Sequence, residues 1–400
     1  MSKSLISFLF VVLFFIGFST NSHARNQAEK EWTLLVFLNG HNNLDRFGTE
    51  DLNEMEKVGS SDQVNVVVQW ASLKASTTKR VYVEKDNSNE VTSPVVEDLP
   101  RVDMGDYEEL VEFIKWGVNN YPAKKYFVDV WNHGSGWRNL FNRSRDNGFV
   151  INDISWDDIS GNSITTKQLG EALKQAADYI GKPVDIYGSD ACLMGMIEVA
   201  NEMKSAVDVY LGSQDLEPGK GWPYDGFLRS LVADPNASAA EVSEMLTDAY
   251  VDSYQGGSQG NTEITFSSYD MSKIEALNSA ISELGILFKT LSDTEKSQVV
   301  TAAIESLNFY FYDYRDLGHF VDLLESQNIA RIDARTLSNV RNAIDDFVIV
   351  TKGSNGFADA TGVSIWLPTN QSTYDRYQQK YADISFNTET GWGEAVNSLY

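Results

Sequence analysis

A mostly parallel α/β sheet, covered on both faces by helices, is the fold this sequence predicts. Short apolar, β-rich runs alternate along the chain with stretches whose apolar residues recur at helical spacing. Two of those runs end in turns of small residues, Tyr126-Phe127-Val128-Asp129-Val130-Trp131-Asn132-His133-Gly134 and Val184-Asp185-Ile186-Tyr187-Gly188-Ser189-Asp190-Ala191-Cys192. A hydrophobic content of 42% over 400 residues supplies a large core, and a single cysteine forbids an internal disulfide, so the fold depends on that core.

Residues 32–38 read as a buried strand ending in the polar turn Asn39-Gly40-His41-Asn42-Asn43, with a helix following to about residue 58. Residues 63–70 and 79–83 are further strands. Leu110, Phe113, Ile114, Gly117 and Val118 share one helical face ahead of the His133 run. Thr165 with Gln168 forms a capping box for a helix through Leu169, Ala172, Leu173 and Ala176, which leads into the Cys192 run. A helix to about residue 204 and a strand at 207–211 come next. The Gly-rich stretch at 255–260 is the best linker candidate. The chain then divides into a leader at 1–24, a core at 25–255 and a helix-rich C-terminal region at 256–400, packed on or extending the core sheet. In that region 264–269 and 363–367 are strand-like. Ile274, Leu277, Ile281, Leu284 and Phe288 line one helix, and Leu337, Val340, Ile344 and Phe347 another.

Sites in open parallel sheets assemble at strand C-termini. Cys192, the only cysteine, and His133 both stand just past such ends. A lone cysteine with a histidine elsewhere is the nucleophile–base pattern of a cysteine hydrolase. The flanking Gly134, Ser135, Gly136, Gly188, Ser189 and Ala191 let a peptide approach the backbone. The alternative for Cys192 is a small buried hydrophobe; the matched surroundings of the two residues favour chemistry.

The N-terminus has the pattern of a secretory signal: Lys3, an apolar stretch from Leu5 to Phe18, and a small-x-small site at Ser22-His23-Ala24. The expected destination is the periplasm or the medium, with no membrane insertion after signal removal. The net charge of −25, from 57 acidic and 32 basic residues, argues against nucleic acid and suits basic peptide substrates.

Five segments in order resemble the clostripain-like cysteine peptidases, of the clan of caspases, legumain, gingipains and separase. They are Asn42-Asn43-Leu44, Trp131-Asn132-His133-Gly134, Ser189-Asp190-Ala191-Cys192, the stretch at 212–224 ending in Gly221-Trp222-Pro223-Tyr224, and Gly362-Val363-Ser364-Ile365-Trp366-Leu367-Pro368. The resemblance implies a caspase-like α/β/α sandwich around the mostly parallel sheet, and endopeptidase activity after Arg or Lys. By it Cys192 is the nucleophile, His133 its partner, and Asp190 the carboxylate of a basic S1 pocket; a turn brace is the alternative for Asp190. Asp215 is a weaker S1 candidate; Asp215, Trp137 and Trp222 are candidates to line the cleft, with packing and turn roles as the equal alternative. The resemblance also implies self-cleavage in a loop after the histidine, where Arg143 and Arg145 are the candidate positions, and calcium dependence in some members. A solvated loop is the alternative for both arginines.

Peptide hydrolysis through a thiol needs a lowered thiol pKa and an oxyanion site. His133⁺ and the N-terminus of the helix after Cys192 are expected to lower it, and the backbone N–H groups of Gly134 and Cys192 are the candidate oxyanion donors. No cofactor is required by this chemistry. For Ca²⁺ the weak candidates are Asp153, Asp157 and Asp158, which fit no EF-hand loop and read more readily as a solvated acidic loop. The expected partners are protein or peptide substrates with a basic P1 residue, and the chain is expected to be a monomer. Two rival readings remain: a non-catalytic secreted binding protein, and a ligase on the same dyad. A thiol-directed Arg- or Lys-chloromethylketone separates the first, since only an enzyme labels at Cys192.

Overall fold

The computed structural model describes residues 29–138 and 153–400, so the leader, Arg143 and Arg145 lie outside the described residues. The chain runs through β1 (Lys30–Gly40), α1 (Asp45–Glu56), β2 (Val64–Ser72), β3 (Thr77–Tyr82), β4 (Val95–Pro100), α2 (Tyr107–Asn120), β5 (Ala123–Trp131), α3 (Thr166–Ile180), β6 (Val184–Asp190), α4 (Ile197–Glu202) and β7 (Val207–Gly212). Next come α5 (Tyr224–Ala233), α6 (Ala239–Tyr254), β8 (Gln255–Gly257), β9 (Gly260–Asn261), β10 (Thr265–Asp270), α7 (Ile274–Phe288) and α8 (Asp293–Glu305). The last elements are β11 (Tyr314–Asp316), α9 (Leu317–Gln327), α10 (Ala334–Phe347), β12 (Val348–Gly353), β13 (Ser364–Trp366), α11 (Gln371–Tyr381), α12 (Ser385–Thr390) and α13 (Trp392–Asn397).

Alternation within the strands sets the layers. Leu34, Val36 and Leu38 of β1 face one core with Leu52 of α1, Phe227 of α5 and Leu246 of α6. Leu35 and Phe37 face the other, with Phe113 of α2, Leu173 of α3, Ile281 of α7 and Val340 of α10. A strand buried on both faces reads as a continuous apolar run, which is why β1 and β5 are conspicuous in the sequence. Local signals agree with this packing. Thr165 and Gln168 close their capping box, and Gly181 ends α3 at a φ of 86°.

Nine strands form one sheet in the order β12-β10-β7-β6-β5-β1-β2-β3-β4. The central strands β2, β1, β5, β6 and β7 are parallel. Both edges are antiparallel, which the sequence reading did not contain. Strand β4 escaped it because Val95-Val96-Glu97-Asp98-Leu99-Pro100 has no buried position; its two acids and its proline suit an edge. The stretch at 255–260 is the hairpin β8–β9 rather than a linker. Strands β10 and β12, which lie on either side of α7–α10 in the chain, continue the same sheet. Residues 363–367 supply β13, which pairs with β11 in a separate two-stranded sheet.

Helices α3 and α4 meet at Gly170, where an added Cβ would stand 2.3 Å from the Glu202 carbonyl oxygen. Gly170→Ala is therefore expected to destabilise by about 1–3 kcal/mol. On an open helix face the same change would stabilise by about 1 kcal/mol. Urea unfolding checks the sign.

Candidate active site

Chain order reverses between β1 and β5: the path moves outward through β2, β3 and β4, then returns to β5 on the other side of β1. Such a switch point opens a crevice at the strand C-termini. Leu38 pairs with Trp131, and Trp131 with Asp190. His133 and Cys192 thus each stand two residues past one registered pair, on adjacent strand tips. The Asn132 N–H donates to the Asp190 carbonyl at 3.1 Å, extending the pairing. A Cβ on Gly134 would lie 2.5 Å from the Cys192 carbonyl oxygen, so only glycine lets the two turns close together. Gly134 also forms a lone antiparallel bridge with Ile154, beyond which Ile154 pairs with Ile164. Leu193, next to the cysteine, is buried at a φ of 64°, a strained backbone for a branched residue.

The His133 ring is buried, and its Nε2 lies 2.7 Å from Asn43 Oδ1 across the crevice. Burial holds its pKa down at about 4, against the pull of Asp158. Cys192 is half-buried and accepts from the Glu217 N–H at 3.3 Å, with the Glu217 carbonyl 3.7 Å from the sulfur. Burial, seconded by Asp215 and Asp190, pushes the thiol up to about 11 despite that bond. Burial thus opposes the expected lowering of the thiol and favours the neutral form of both groups. Helix α4 begins at Ile197, too far along the chain to cap the sulfur, and the nearest charges are carboxylates.

Asp190 lies beneath the cysteine, buried, and accepts from the Trp222 N–H at 3.1 Å and the Tyr224 hydroxyl at 3.0 Å. The same hydroxyl reaches Asp129 at 2.7 Å, and the Trp131 indole donates to Asp51 at 2.7 Å. Asp51, Asp129, Asp190 and Glu217 are all buried. Burial raises each pKa, that of Asp190 to about 6, and the charge of Asp190 raises the other three further. Among the described residues no Lys or Arg pairs with any of the four. Gly221, at a φ of 58°, passes so close that a Cβ there would stand 2.7 Å from Asp190 Oδ2.

Other sequence candidates have different surroundings. Asp215 Oδ1 accepts from the Tyr310 N–H at 2.8 Å, docking the aromatic stretch at 309–314 rather than joining Asp190. Trp137 stacks edge-on against Trp366 and Tyr381, and Trp222 packs on Phe266 and Phe127; both are core residues, not cleft walls. Asp157 is a turn brace that holds His41 Nδ1 at 2.8 Å and the N–H groups of Met104, Ile159 and Ser160. Asp158 accepts from the Trp156 indole at 2.8 Å, and Asp153 is buried beside Ile154. Among the described residues no three His, Cys, Asp or Glu side chains cluster as a metal site. Sequence reasoning missed Asn43 as the contact of His133, Glu217 as the contact of Cys192, and Asp51 and Asp129 as neighbours of Asp190. Asn43 lay inside a quoted motif; the others carry no local signal.

The buried carboxyls fix a pH dependence. A raised folded pKa means the folded state binds protons more tightly than the unfolded one, so stability is fully present at low pH. It is lost as pH rises through the folded values, about 6 for Asp190 and about 7 for Glu54 and Glu198. His133, held down at about 4, contributes the opposite slope, but it is one group against several. The melting temperature is expected to fall from about pH 5 to about pH 7.5. Glu198→Gln, whose carboxyl accepts from the Trp366 N–H and the Tyr381 hydroxyl, is expected to flatten that fall. A melting curve rising over this range would contradict the assignment.

Residues 36–398 match the family model described as the clostripain family. Clostripain of Hathewaya histolytica is 24% identical, over 95% of this chain and 82% of that one. A secreted C11 cysteine protease of Bacteroides thetaiotaomicron, solved with an irreversible peptide inhibitor, superposes with a TM-score of 0.67 at 24% identity, covering 91% of this chain and 99% of that chain. An inactive zymogen C11 protease of Parabacteroides distasonis gives 0.68 at 17% identity, with the same coverage. The fold is thus the caspase-like α/β fold of these proteases, and the match across nearly the whole described chain shows that it belongs to the clostripain family of cysteine peptidases.

Proposed function

We propose that this peptidase is exported and cleaves peptide bonds after basic residues, with Cys192 as nucleophile and His133 as its proton carrier. The observation that carries the reading is a buried carboxylate, Asp190, two residues before the sulfur and without a basic partner among the described residues. A buried anion in want of a cation is what a P1 Arg or Lys side chain would satisfy. The export reading rests on the leader pattern at 1–24 and on the description of the Bacteroides relative as secreted. Among the described residues no helix is long and apolar enough to cross a membrane.

The chemistry follows from neutral reactants. As the Cys192 sulfur attacks the scissile carbonyl carbon, its proton passes to the His133 imidazole. Charge developing on the carbonyl oxygen is met by the Gly134 and Cys192 N–H groups. The His133 proton then goes to the leaving amine, giving a thioester that water hydrolyses with His133 as base. A cationic P1 side chain beside Asp190 cancels one of the charges that hold the thiol neutral. The correct substrate thereby eases ionisation of its own nucleophile.

Cys192→Ala is expected to remove turnover of an Arg peptide, and His133→Ala to lower it by about 10²–10⁴-fold, both with melting temperatures near wild type. Asp190→Asn should lower kcat/KM for Arg and Lys substrates by about 10²–10³-fold. A folded Cys192→Ala protein that still cleaves at the wild-type rate overturns the mechanism.

Self-processing after Arg143 or Arg145 is part of the same proposal. Both flanks of that stretch are anchored: Arg138 is buried against Asp313, and Ile154 is bridged to Gly134 and Ile164. Intact-mass spectrometry is expected to show two fragments of about one-third and two-thirds length from wild type, and one chain from Cys192→Ala. A single uncut, fully active wild-type chain rules the cut out.

A further inference from the structure

We infer that Glu217 is a second specificity carboxyl for the P1 side chain, paired with Asp190 across one shared proton that an arginyl side chain displaces. The inference rests on the basic-P1 reading above and names the residue that completes it.

Geometry carries the argument. Glu217 is nine-tenths buried, and neither carboxyl oxygen has a hydrogen-bond donor from the described residues. Its side chain is instead in hydrogen-bonding contact with the Asp190 carboxyl. Two carboxylates in contact have no donor between them, so one must hold a proton. Burial raises both carboxyls, and the contact between them holds the shared proton in place. Asp129, fully buried behind them, leaves its Oδ1 unpartnered as well. The groups facing Glu217 are Asp190 from β6, Asp129 from β5, Cys192 from the turn, Tyr210 from β7, and Tyr250 and Tyr254 from α6. None is a cation. Gly221 packs its backbone against the Asp190 carboxylate, where an added Cβ would stand 2.7 Å from Asp190 Oδ2.

Glu217 also clasps the nucleophile: its N–H lies 3.3 Å from the Cys192 sulfur. One residue therefore reads the P1 side chain and positions the thiol. Two buried carboxyls in contact suit a guanidinium better than an ammonium. The guanidinium has five donors in a planar fork and keeps its charge when buried. On its arrival the shared proton leaves the pair for the buffer, and both carboxylates accept from the fork.

The test uses the full chain carrying Cys192→Ala, so that nothing is cleaved. Short acylated peptide amides ending in Arg, Lys or citrulline, the neutral isostere of Arg, are titrated by calorimetry at pH 6.5 in two buffers of different ionisation enthalpy. Arg binding is expected to release a proton, and citrulline binding none. Adding Glu217→Gln should abolish the proton release and weaken Arg binding on the order of 10–100-fold, with a smaller loss for Lys and none for citrulline. Arg binding without proton release in the Glu217 chain overturns the inference even if the Gln variant fails to fold. So does an unchanged preference for Arg over citrulline in a folded Gln variant. The parallel Asp190→Asn titration separates the two readings. If Asp190→Asn abolishes the Arg preference while Glu217→Gln leaves it, only the role of Glu217 fails. If neither matters, the basic pocket itself is elsewhere and both readings fall.

Discussion

The pairing of Trp131 with Asp190 in the parallel ladder between β5 and β6 determines most of what this site is. Strand side chains alternate with a period of two, so this pairing sends Asp190 to the α1–α5–α6 face, beside Asp129 and Tyr224. It also places His133 and Cys192 level with each other on adjacent tips. A one-residue slip would turn Asp190 into the opposite core and separate the two turns that Gly134 allows to touch. The slip is opposed by buried side chains on both faces of both strands, among them Phe127, Val128, Val130, Ile186 and Tyr187. Core packing and catalytic geometry are the same constraint here.

That register comes with an electrostatic burden. Four buried carboxyls share one region, stabilised by neutral donors such as the Tyr224 hydroxyl, the Trp222 N–H and the Trp131 indole. Neutral donors lower the burden without removing it, which is why all four pKa values stand above the ordinary carboxylate range. Burial raises the neighbouring thiol too, and Asp215 and Asp190 add to it. A cation among these groups would lower the carboxyls and the thiol together.

Much of this was legible in the sequence. The central strands, the capping box of α3 and the strand-tip placement of Cys192 and His133 all sit in strong local patterns: unbroken apolar runs, a Thr-x-x-Gln spacing, and a lone cysteine past a strand end. What escaped has a common physical reason. Strand β4 is exposed along its length, so no hydrophobic pattern marks it. The state of the thiol depends on Asp215, Glu217 and Asp190, which only the fold brings around the sulfur. Asp51 lies on α1, about 140 residues before Cys192, and nothing near it in sequence marks it as buried. Glu217 sits in a turn of polar and small residues, where an exposed carboxylate is the ordinary expectation. Its role comes from burial that only the neighbouring strand and α6 impose.

The C-terminal region completes the nucleophile turn rather than merely covering it. The Ser364 N–H donates to the Gly195 carbonyl at 3.0 Å, and Met196 bridges to Ser364. Glu198, at the start of α4, accepts from the Trp366 N–H at 2.8 Å. Asp215, whose carbonyl receives the Leu193 N–H, is itself held by Tyr310. The strained φ of Leu193 is thereby fixed from both sides by segments more than one hundred residues downstream. Strain of about 1–3 kcal/mol persists only where the surroundings over-determine the backbone. Strands β11 and β13 supply much of that determination, although they lie outside the main sheet. A chain ending after β7 would keep the cysteine and histidine but lose these contacts to the turn that follows the cysteine.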